Sequence, residues 1–403
     1  MSTTQFLLKL DSKVIKYGLK RTIQLLNACG NPHLSLKSIQ IVGTNGKGST
    51  AAMLSNVLIN NNYKTGLYTS PHLVTINERI RVNHKKISNN FMDSFIKKYK
   101  NELLTIKPSF FEIITVIALS YFVKKKVDFA ILETGLGGRL DSVTAALADT
   151  LIFTPIDIDH IPLLGNNLNS ITREKAGAIL SSTSFIFSSH QYPQVKKILI
   201  KQAKKHNKQI FYCNNKLEIS ENFTERHQTE NATLAKFVLD KLSKPYELTL
   251  KNVTRNLKTT FWPGRIQFIN KKPDVVFDVA HNQHSIQAFI SYFFQIKKQY
   301  RSCYLVLGFE RGKQVKDMII MLYQLFDKVV ITETKIRHSM KADNIAKFHK
   351  KYFKSSITIE LDPIIAIKNT VDNLNSDEIV VILGSHYFGP HISKLYKNCF
   401  DIK

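Results

Sequence analysis

The stretch SIQIVGTNGKGSTAAMLSNVLI, Ser38–Ile59, constrains the fold more than any other part of the chain. Ile39, Ile41 and Val42 are β-branched and read as the end of a buried strand, whereas Ala51, Met53, Leu54, Val57 and Leu58 recur at helical spacing. A glycine-rich turn bearing Lys47 therefore joins a strand to a helix. At such a junction the first backbone N–H groups of the helix have no partner inside it, and glycines let a phosphate come close to them. Lys47 would place a point charge on the outer phosphates, and a hydroxyl from Ser49 or Thr50 could reach a magnesium ion. The turn departs from the general pattern G-x-x-x-x-G-K-[ST], because two residues separate Gly43 from Gly46 and Gly48 follows the lysine. Taken alone, it is also compatible with a purely structural connection.

The rest of the chain repeats the theme. KTGLYTSPH reads as a short strand entering a loop, PSFFEIITVIALSYFVKKK as a buried helix with Lys124–Lys126 at its negative end, and VDFAILETGLGG as a strand entering a second glycine turn. After TTFWPGRIQF come DVVFDVAHN, CYLVLGF, KVVITE, SITIEL and EIVVILGS, all strand-like, with helical patterns between them. This alternation predicts α/β architecture with parallel-rich sheets covered on both faces. At 403 residues the chain exceeds one ordinary core. Pro263 and Gly264 interrupt the pattern, so the expected boundary separates residues 1–262 from 263–403.

Composition narrows the function classes. A 43% hydrophobic and 22% charged content is that of a soluble globular protein, and the apolar run Phe110–Val123 is too short to span a bilayer and contains Glu112. Cys29, Cys213, Cys303 and Cys399 are scattered singly, without zinc spacing or a disulfide framework, so a reducing cytoplasm is expected. The net charge of +26 raises the question of nucleic acid. The lysines are spread in short groups without interleaved aromatics, and the expectation is attraction for anionic small substrates, with neither nucleic acid nor membrane as partner.

In a parallel sheet, ligands bind outside the carboxyl ends of the strands. Four polar groups fall at such ends: the Gly43–Thr50 loop, Ser70, Glu133 and the pair Asp159–His160. Individually each reads as an ordinary loop residue. Together they offer hydroxyl, carboxylate and imidazole ligands around a phosphate-binding turn, a set suited to magnesium or manganese on ATP oxygens.

The ordered motifs IVGTNGKGST, YTSPHL, LETGLGGRLDSV, DIDHIPLLGNNLNSITREKAGAI, FWPGRIQ and DVAHNQH resemble those of the folylpolyglutamate synthase and dihydrofolate synthase family, within the Mur ligase superfamily. The match runs from about Ser38 to His284, with a weaker echo in VLGFERGKQ and VVILGSHYF. The resemblance implies an N-terminal P-loop ATPase domain of the Mur ligase type and a smaller, Rossmann-like C-terminal domain. It implies an ATP-dependent ligase that activates a pterin carboxylate as an acyl phosphate and joins it to L-glutamate, with dihydropteroate, a reduced folate such as tetrahydrofolate, or both as acceptor. A monomer is expected.

By the same resemblance Gly43, Thr44, Asn45, Gly46, Lys47, Gly48, Ser49 and Thr50 would hold ATP. Asn231 would lie near the adenine, and Arg265, Asp278 and His281 would act on the nucleotide from the C-terminal part. Ser49, Ser70 and Glu133 would hold one magnesium and His160 a second, with a monovalent cation besides. Lys47, His160 and Lys175 would be catalytic, Lys175 as a carbamate, and Pro71, His72, Arg79, Arg139 and Asp159 would face the pterin substrate. The chain departs from the pattern at Gly312 and Gln314, which flank Lys313 where D-K-D is common. It departs also at Ser142–Thr144, where an asparagine is often found, and at Gln283 in place of proline. Two other readings remain open at this stage, a basic nucleic-acid-binding protein and a non-catalytic nucleotide-binding relative. The retention of Lys47, Glu133, His160 and Lys175 speaks against the second.

Overall fold

The structure is a computed structural model that describes residues 18–159, 161–213, 226–312, 314–322, 325–336, 339–352 and 357–402. The chain divides into two compact units, the first ending at Phe261 and the second beginning at Trp262. Among the described residues of the first unit, eight strands form one sheet: β1 Ser38–Val42, β2 Thr65–Tyr68, β3 Ile80–Val82, β4 Lys85–Lys86, β5 Phe129–Glu133, β6 Thr150–Phe153, β7 Phe185–Ser188 and β8 Ile210–Tyr212. Their order across the sheet is β4-β3-β2-β5-β1-β6-β7-β8. From β2 to β8 every pairing is parallel, while β3 and β4 add an antiparallel ribbon at one edge.

Every residue of β1 and β5 is buried, including Gln40, whose Nε2 donates to Thr134 Oγ1 at 3.0 Å and to Thr144 Oγ1 at 2.9 Å and so is not left unsatisfied. One face of the sheet is covered by the helix Phe110–Lys125, which packs Ile113, Ile117 and Phe122 with Leu25, Tyr68 and Leu132. The other face packs Phe153 and Ile186 with Ile171, Val195 and Leu199. Glu112, which breaks the apolar run in sequence, is buried in that helix without being orphaned. It completes a capping box with Ser109, and its two oxygens lie 3.1 Å from Nη2 and Nε of Arg21. The pair removes most of the penalty that an isolated buried carboxylate would carry.

The second unit holds a six-stranded sheet: β9 Gln267–Asn270, β10 Asp274–Asp278, β11 Cys303–Leu307, β12 Lys328–Ile331, β13 Ile357–Ile359 and β14 Ile379–Leu383. The order β13-β12-β11-β14-β10-β9 inserts the last strand between β10 and β11, and only β9 runs antiparallel to its neighbour. The parallel-rich α/β architecture expected from the strand–helix alternation is thus present in both units. The ribbon β3–β4 and the strands β7, β8 and β9, two to four residues long, did not stand out in the sequence. Among the described residues no helix is long and apolar enough to cross a membrane, and the four cysteines are unpaired.

Candidate nucleotide and metal site

The glycine-rich turn lies between β1 and the helix Lys47–Asn60. Gly46 caps that helix with φ of 81° and contributes no side-chain bond, so the first-turn amides are left for a ligand. A Cβ on Gly46 would collide with Oδ1 of Asn231, and one on Gly43 with Oγ1 of Thr154, so both glycines are required by close packing. Asn231 therefore stands against the turn itself. The turn is tied to the end of β6: Thr44 N donates to Pro155 O at 2.9 Å, Thr44 Oγ1 donates to Asp157 O at 2.9 Å, and Asp157 N donates back to Thr44 Oγ1 at 3.0 Å. Asn45 N also donates to Pro155 O, at 3.4 Å.

Two lysines meet at the turn. Lys47 Nζ donates to Gly43 O at 3.2 Å and to Thr44 O at 3.0 Å, and Lys175 Nζ donates to the same Gly43 O at 2.6 Å. Lys175 belongs to the helix Leu168–Ala176 and is 5% exposed. Gly138 permits its approach, since a Cβ there would strike the Lys175 carbonyl. Burial, aided by the charge of Lys47 and only partly opposed by Asp159 and Asp141, pushes the Lys175 ammonium down to about 7.

Glu133 closes β5, between β2 and β1, and is 5% exposed. Its Oε2 accepts from Ser70 N at 2.9 Å, so the carboxylate and the Ser70 backbone, remote in sequence, stand together at adjacent strand ends. Ser49 and Thr50 are buried in the first turn of the helix that follows β1, and Thr50 Oγ1 has no hydrogen-bond partner. Hydroxyls and a carboxylate at these ends are a hard-oxygen donor set, which fits magnesium or manganese. Among the described residues no three His, Cys, Asp or Glu side chains converge on one ion position, so the remaining ligands would have to be hydroxyls, phosphate oxygens or water. His160 lies outside the described residues.

The residues expected to face a pterin fall in two places. His72, beside Pro71, accepts on Nδ1 from Arg79 Nε at 2.9 Å, and burial together with the Arg79 charge pushes the imidazole down to about 3, so it is neutral. Arg79 is buried 5.2 Å from the Phe110 ring centroid. Arg139 instead pairs with Glu174 at 2.8 Å beside the Lys175 helix, and Asp159 is half-buried near Lys175. Asp141 received no role from its motif, yet it is buried beside both lysines. Its oxygens accept from Leu136 N at 2.7 Å and Val143 N at 2.9 Å, and burial pushes its carboxyl up to about 6. The signal available in sequence was an aspartate three residues past a glycine turn, a position that also suits an ordinary cap, which Asp141 provides for Ser142–Ala146.

In the second unit Asp278 ends β10, where its oxygens accept from Ile266 N at 2.8 Å and Ala280 N at 2.7 Å. Burial raises its carboxyl and the nearby Arg265 opposes the rise. His281 Nδ1 lies 2.8 Å from Val279 O. Two of the departures from the family pattern meet: Gln283 Nε2 donates to Gln314 Oε1 at 3.0 Å and to Asp317 Oδ2 at 2.8 Å. The glutamine in place of proline thus engages the glutamine in place of aspartate.

Residues 264–386 match the family model described as Mur ligase, glutamate ligase domain. The chain is 32% identical over 362 residues to the dihydrofolate synthase/folylpolyglutamate synthase of Buchnera aphidicola subsp. Baizongia pistaciae, covering 85% of this chain and 82% of that one. It is 28% identical to the enzyme of the same name from Bacillus subtilis, covering 95% and 96% of the two chains. Its fold superposes on a Mycobacterium tuberculosis folylpolyglutamate synthase complexed with ADP and AMPPCP at a TM-score of 0.88, with 25% identity and 98% of each chain covered. With a glycine turn, two lysines and an acid–serine pair at adjacent strand ends, and a relative above 30% identity along most of both lengths, this chain belongs to the dihydrofolate synthase/folylpolyglutamate synthase family of ATP-dependent ligases.

Proposed function

We propose that the protein forms an amide bond between L-glutamate and a pterin-bearing carboxylate at the expense of ATP, and that it accepts both dihydropteroate and tetrahydrofolate. The observation that carries the reading is the convergence of Lys47 and Lys175 on the Gly43 carbonyl, beside uncapped helix amides and next to the Glu133–Ser70 pair. Both names borne by the Buchnera and Bacillus relatives support the two acceptors. The two units serve as an ATP-binding domain and a glutamate ligase domain, the latter reading supported by the family match over residues 264–386.

A carboxylate in water is a poor electrophile. Transfer of the γ-phosphoryl group of ATP to it makes an acyl phosphate, and attack by the neutral amine of glutamate then expels phosphate and leaves the amide. The turn amides and Lys47 bind the β- and γ-phosphates and oppose the charge that builds on the transferring group. Asn231 holds the turn in shape from the side through its contact with Gly46. Ser49, Ser70 and Glu133 would hold a magnesium ion, with His160 and a monovalent cation in the further set that the family pattern implies. When bound, magnesium supplies charge neutralisation on the phosphate oxygens. Arg265, Asp278 and His281 are assigned to the nucleotide, supported by the Asp278 bonds that hold the Arg265–Ile266 segment in place. Pro71, His72, Arg79, Arg139 and Asp159 are assigned to the pterin acceptor. The neutral imidazole of His72 supports a hydrogen-bonding rather than a charged role there.

Lys175 carries a carbamate in this reading. Its depressed proton affinity leaves a large neutral fraction at pH 7. The amine lone pair adds to carbon dioxide, one proton leaves, and the nitrogen keeps an N–H that can still donate to Gly43 O. The product reverses the charge at the turn, from ammonium to carboxylate-like, on the side where a cation would sit. ATP- and magnesium-dependent glutamate incorporation, run in parallel with dihydropteroate and tetrahydrofolate, tests the acceptor assignment. Incorporation with only one of them would reduce the protein to a monofunctional enzyme, and with neither would remove the proposed reaction.

A further inference from the structure

The helix Lys47–Asn60 carries the phosphate turn at its first residue, and its far end, about 21 Å away by helical rise, opens onto a cavity. This cavity, of about 660 Å³, lies wholly in the first unit. One wall is Asn60–Tyr63 and the other runs from Thr249 to Thr259. Its lining contains neither an acidic nor an aliphatic side chain, and both a lysine and an arginine.

The walls are fastened by bonds that use only some of their polar groups. Asn61 and Lys251 are joined reciprocally, Lys251 N to Asn61 Oδ1 at 2.6 Å and Asn61 Nδ2 to Lys251 O at 3.2 Å. Thr249 N donates to Tyr63 Oη at 2.9 Å, and Asn56 Nδ2 donates to Asn256 O at 2.7 Å. These bonds fix the backbone on both sides while leaving the charged heads out of the framework. Among the described residues the Lys251 ammonium, the Arg255 guanidinium and the side-chain amides of Asn62 and Asn252 have no hydrogen-bond partner, and the Tyr63 hydroxyl, which accepts, has no acceptor for its own proton.

We infer that this cavity is a second anion site, which takes a phosphoryl-bearing, hydrophilic small molecule. An arginine fork and a lysine unopposed by any acid select an oxyanion. The unspent donors come from both walls. A carboxylate offers its oxygens in one plane, whereas a tetrahedral phosphoryl group or a short polyphosphate presents oxygens to both walls together. The volume is that of a small-molecule site, and a lining of amides, hydroxyls and cations around the single Tyr63 ring does not suit a hydrophobic ligand. The site is separate from the phosphate turn, at the opposite end of the same helix.

The test uses the full chain with ADP and magnesium supplied at one equivalent per chain, so that the phosphate turn is filled while no excess nucleotide or free magnesium remains to occupy the second site or chelate the titrant. Tripolyphosphate and citrate are titrated calorimetrically at constant ionic strength into the wild type, the double variant Lys251→Ala/Arg255→Ala and the single variant Arg255→Lys. Saturable tripolyphosphate binding is expected in the wild type, weakened about ten-fold or more in the double variant and less in Arg255→Lys. Basal ligation is expected to be unchanged in all three. Equal tripolyphosphate affinity in wild type and double variant, or no saturable binding in the wild type, overturns the site. Citrate binding at least as tightly as tripolyphosphate overturns the phosphoryl assignment. The exposed positions of Lys251 and Arg255 keep folding out of the comparison, and circular dichroism of the double variant verifies this.

Discussion

The neutral fraction of Lys175 is the quantity on which the proposed carbamate depends, and it can be moved deliberately. An ordinary lysine, near 10.4, is neutral at pH 7 in roughly one molecule in a few thousand. Lys175, pushed down to about 7 by burial and by Lys47, is neutral in about half, a gain of roughly three orders of magnitude in the form that reacts with carbon dioxide. Removing the neighbouring charge with Lys47→Met should raise the Lys175 proton affinity and so reduce carbamate at pH 7. The assay is the carbamate carbon signal of protein equilibrated with 13C-bicarbonate, followed from pH 6 to 9 in wild type, Lys47→Met and Lys175→Arg. A wild-type signal that grows through pH 7, shifts to higher pH in Lys47→Met and vanishes in Lys175→Arg is expected. In buffer free of carbon dioxide the same depression has a stability consequence. Between about pH 7 and 10.5 the unfolded chain keeps a proton that the folded chain has released, so stability rises with pH across that window by up to about 1.4 kcal/mol per unit. Lys175→Met should remove this slope in urea unfolding. A signal that appears only near pH 10, or a slope unchanged by Lys175→Met, would refute the reasoning from burial. Full activity in Lys175→Arg, with no rescue of Lys175→Ala by acetate, would remove the carbamate from the mechanism while leaving the ligase in place.

The other predictions concern the turn and its neighbours. Lys47→Ala should abolish ligation while urea unfolding shows a folded protein, because the side chain bonds only two turn carbonyls; retained ligation would count against the turn as the phosphate site. Glu133→Gln keeps an oxygen for Ser70 N but loses the charge, so the magnesium concentration for half-maximal activity should rise, and an unchanged value would place Glu133 outside the metal's ligands. Gly46→Ala should cost about 1–3 kcal/mol from the left-handed backbone alone, with ATP affinity falling as the new Cβ displaces Asn231, both readable by unfolding and nucleotide titration. The His72 ring should show no titration by NMR between pH 5 and 8; a midpoint near 6.5 would mean that Arg79 does not hold it.

Much of this molecule is written in short stretches of sequence. The strand–turn–helix at Ser38–Asn60 could be read directly, since glycines, a lysine and a change of apolar period lie within one segment and act through local backbone geometry. The buried central strands were equally legible, because a parallel sheet covered on both faces favours the β-branched and aromatic residues that dominate them, with polar exceptions such as Gln40 and Glu133. What folding alone decided is which distant groups meet. Lys175 reaches Gly43 O across 132 residues and Ser70 meets Glu133 across 63, and neither encounter has a local signature. The proton affinities of Lys175, Asp141 and His72 follow from the same source, because the cost of a charge is set by how completely neighbours exclude water, and those neighbours come from remote segments. Gln283 and Gln314 looked like two separate departures in the sequence, and the tertiary structure joins them in one hydrogen bond. The sequence by itself determines the elements and the chemical types at their ends. The packing of one strand end against the next decides which of those types become a site.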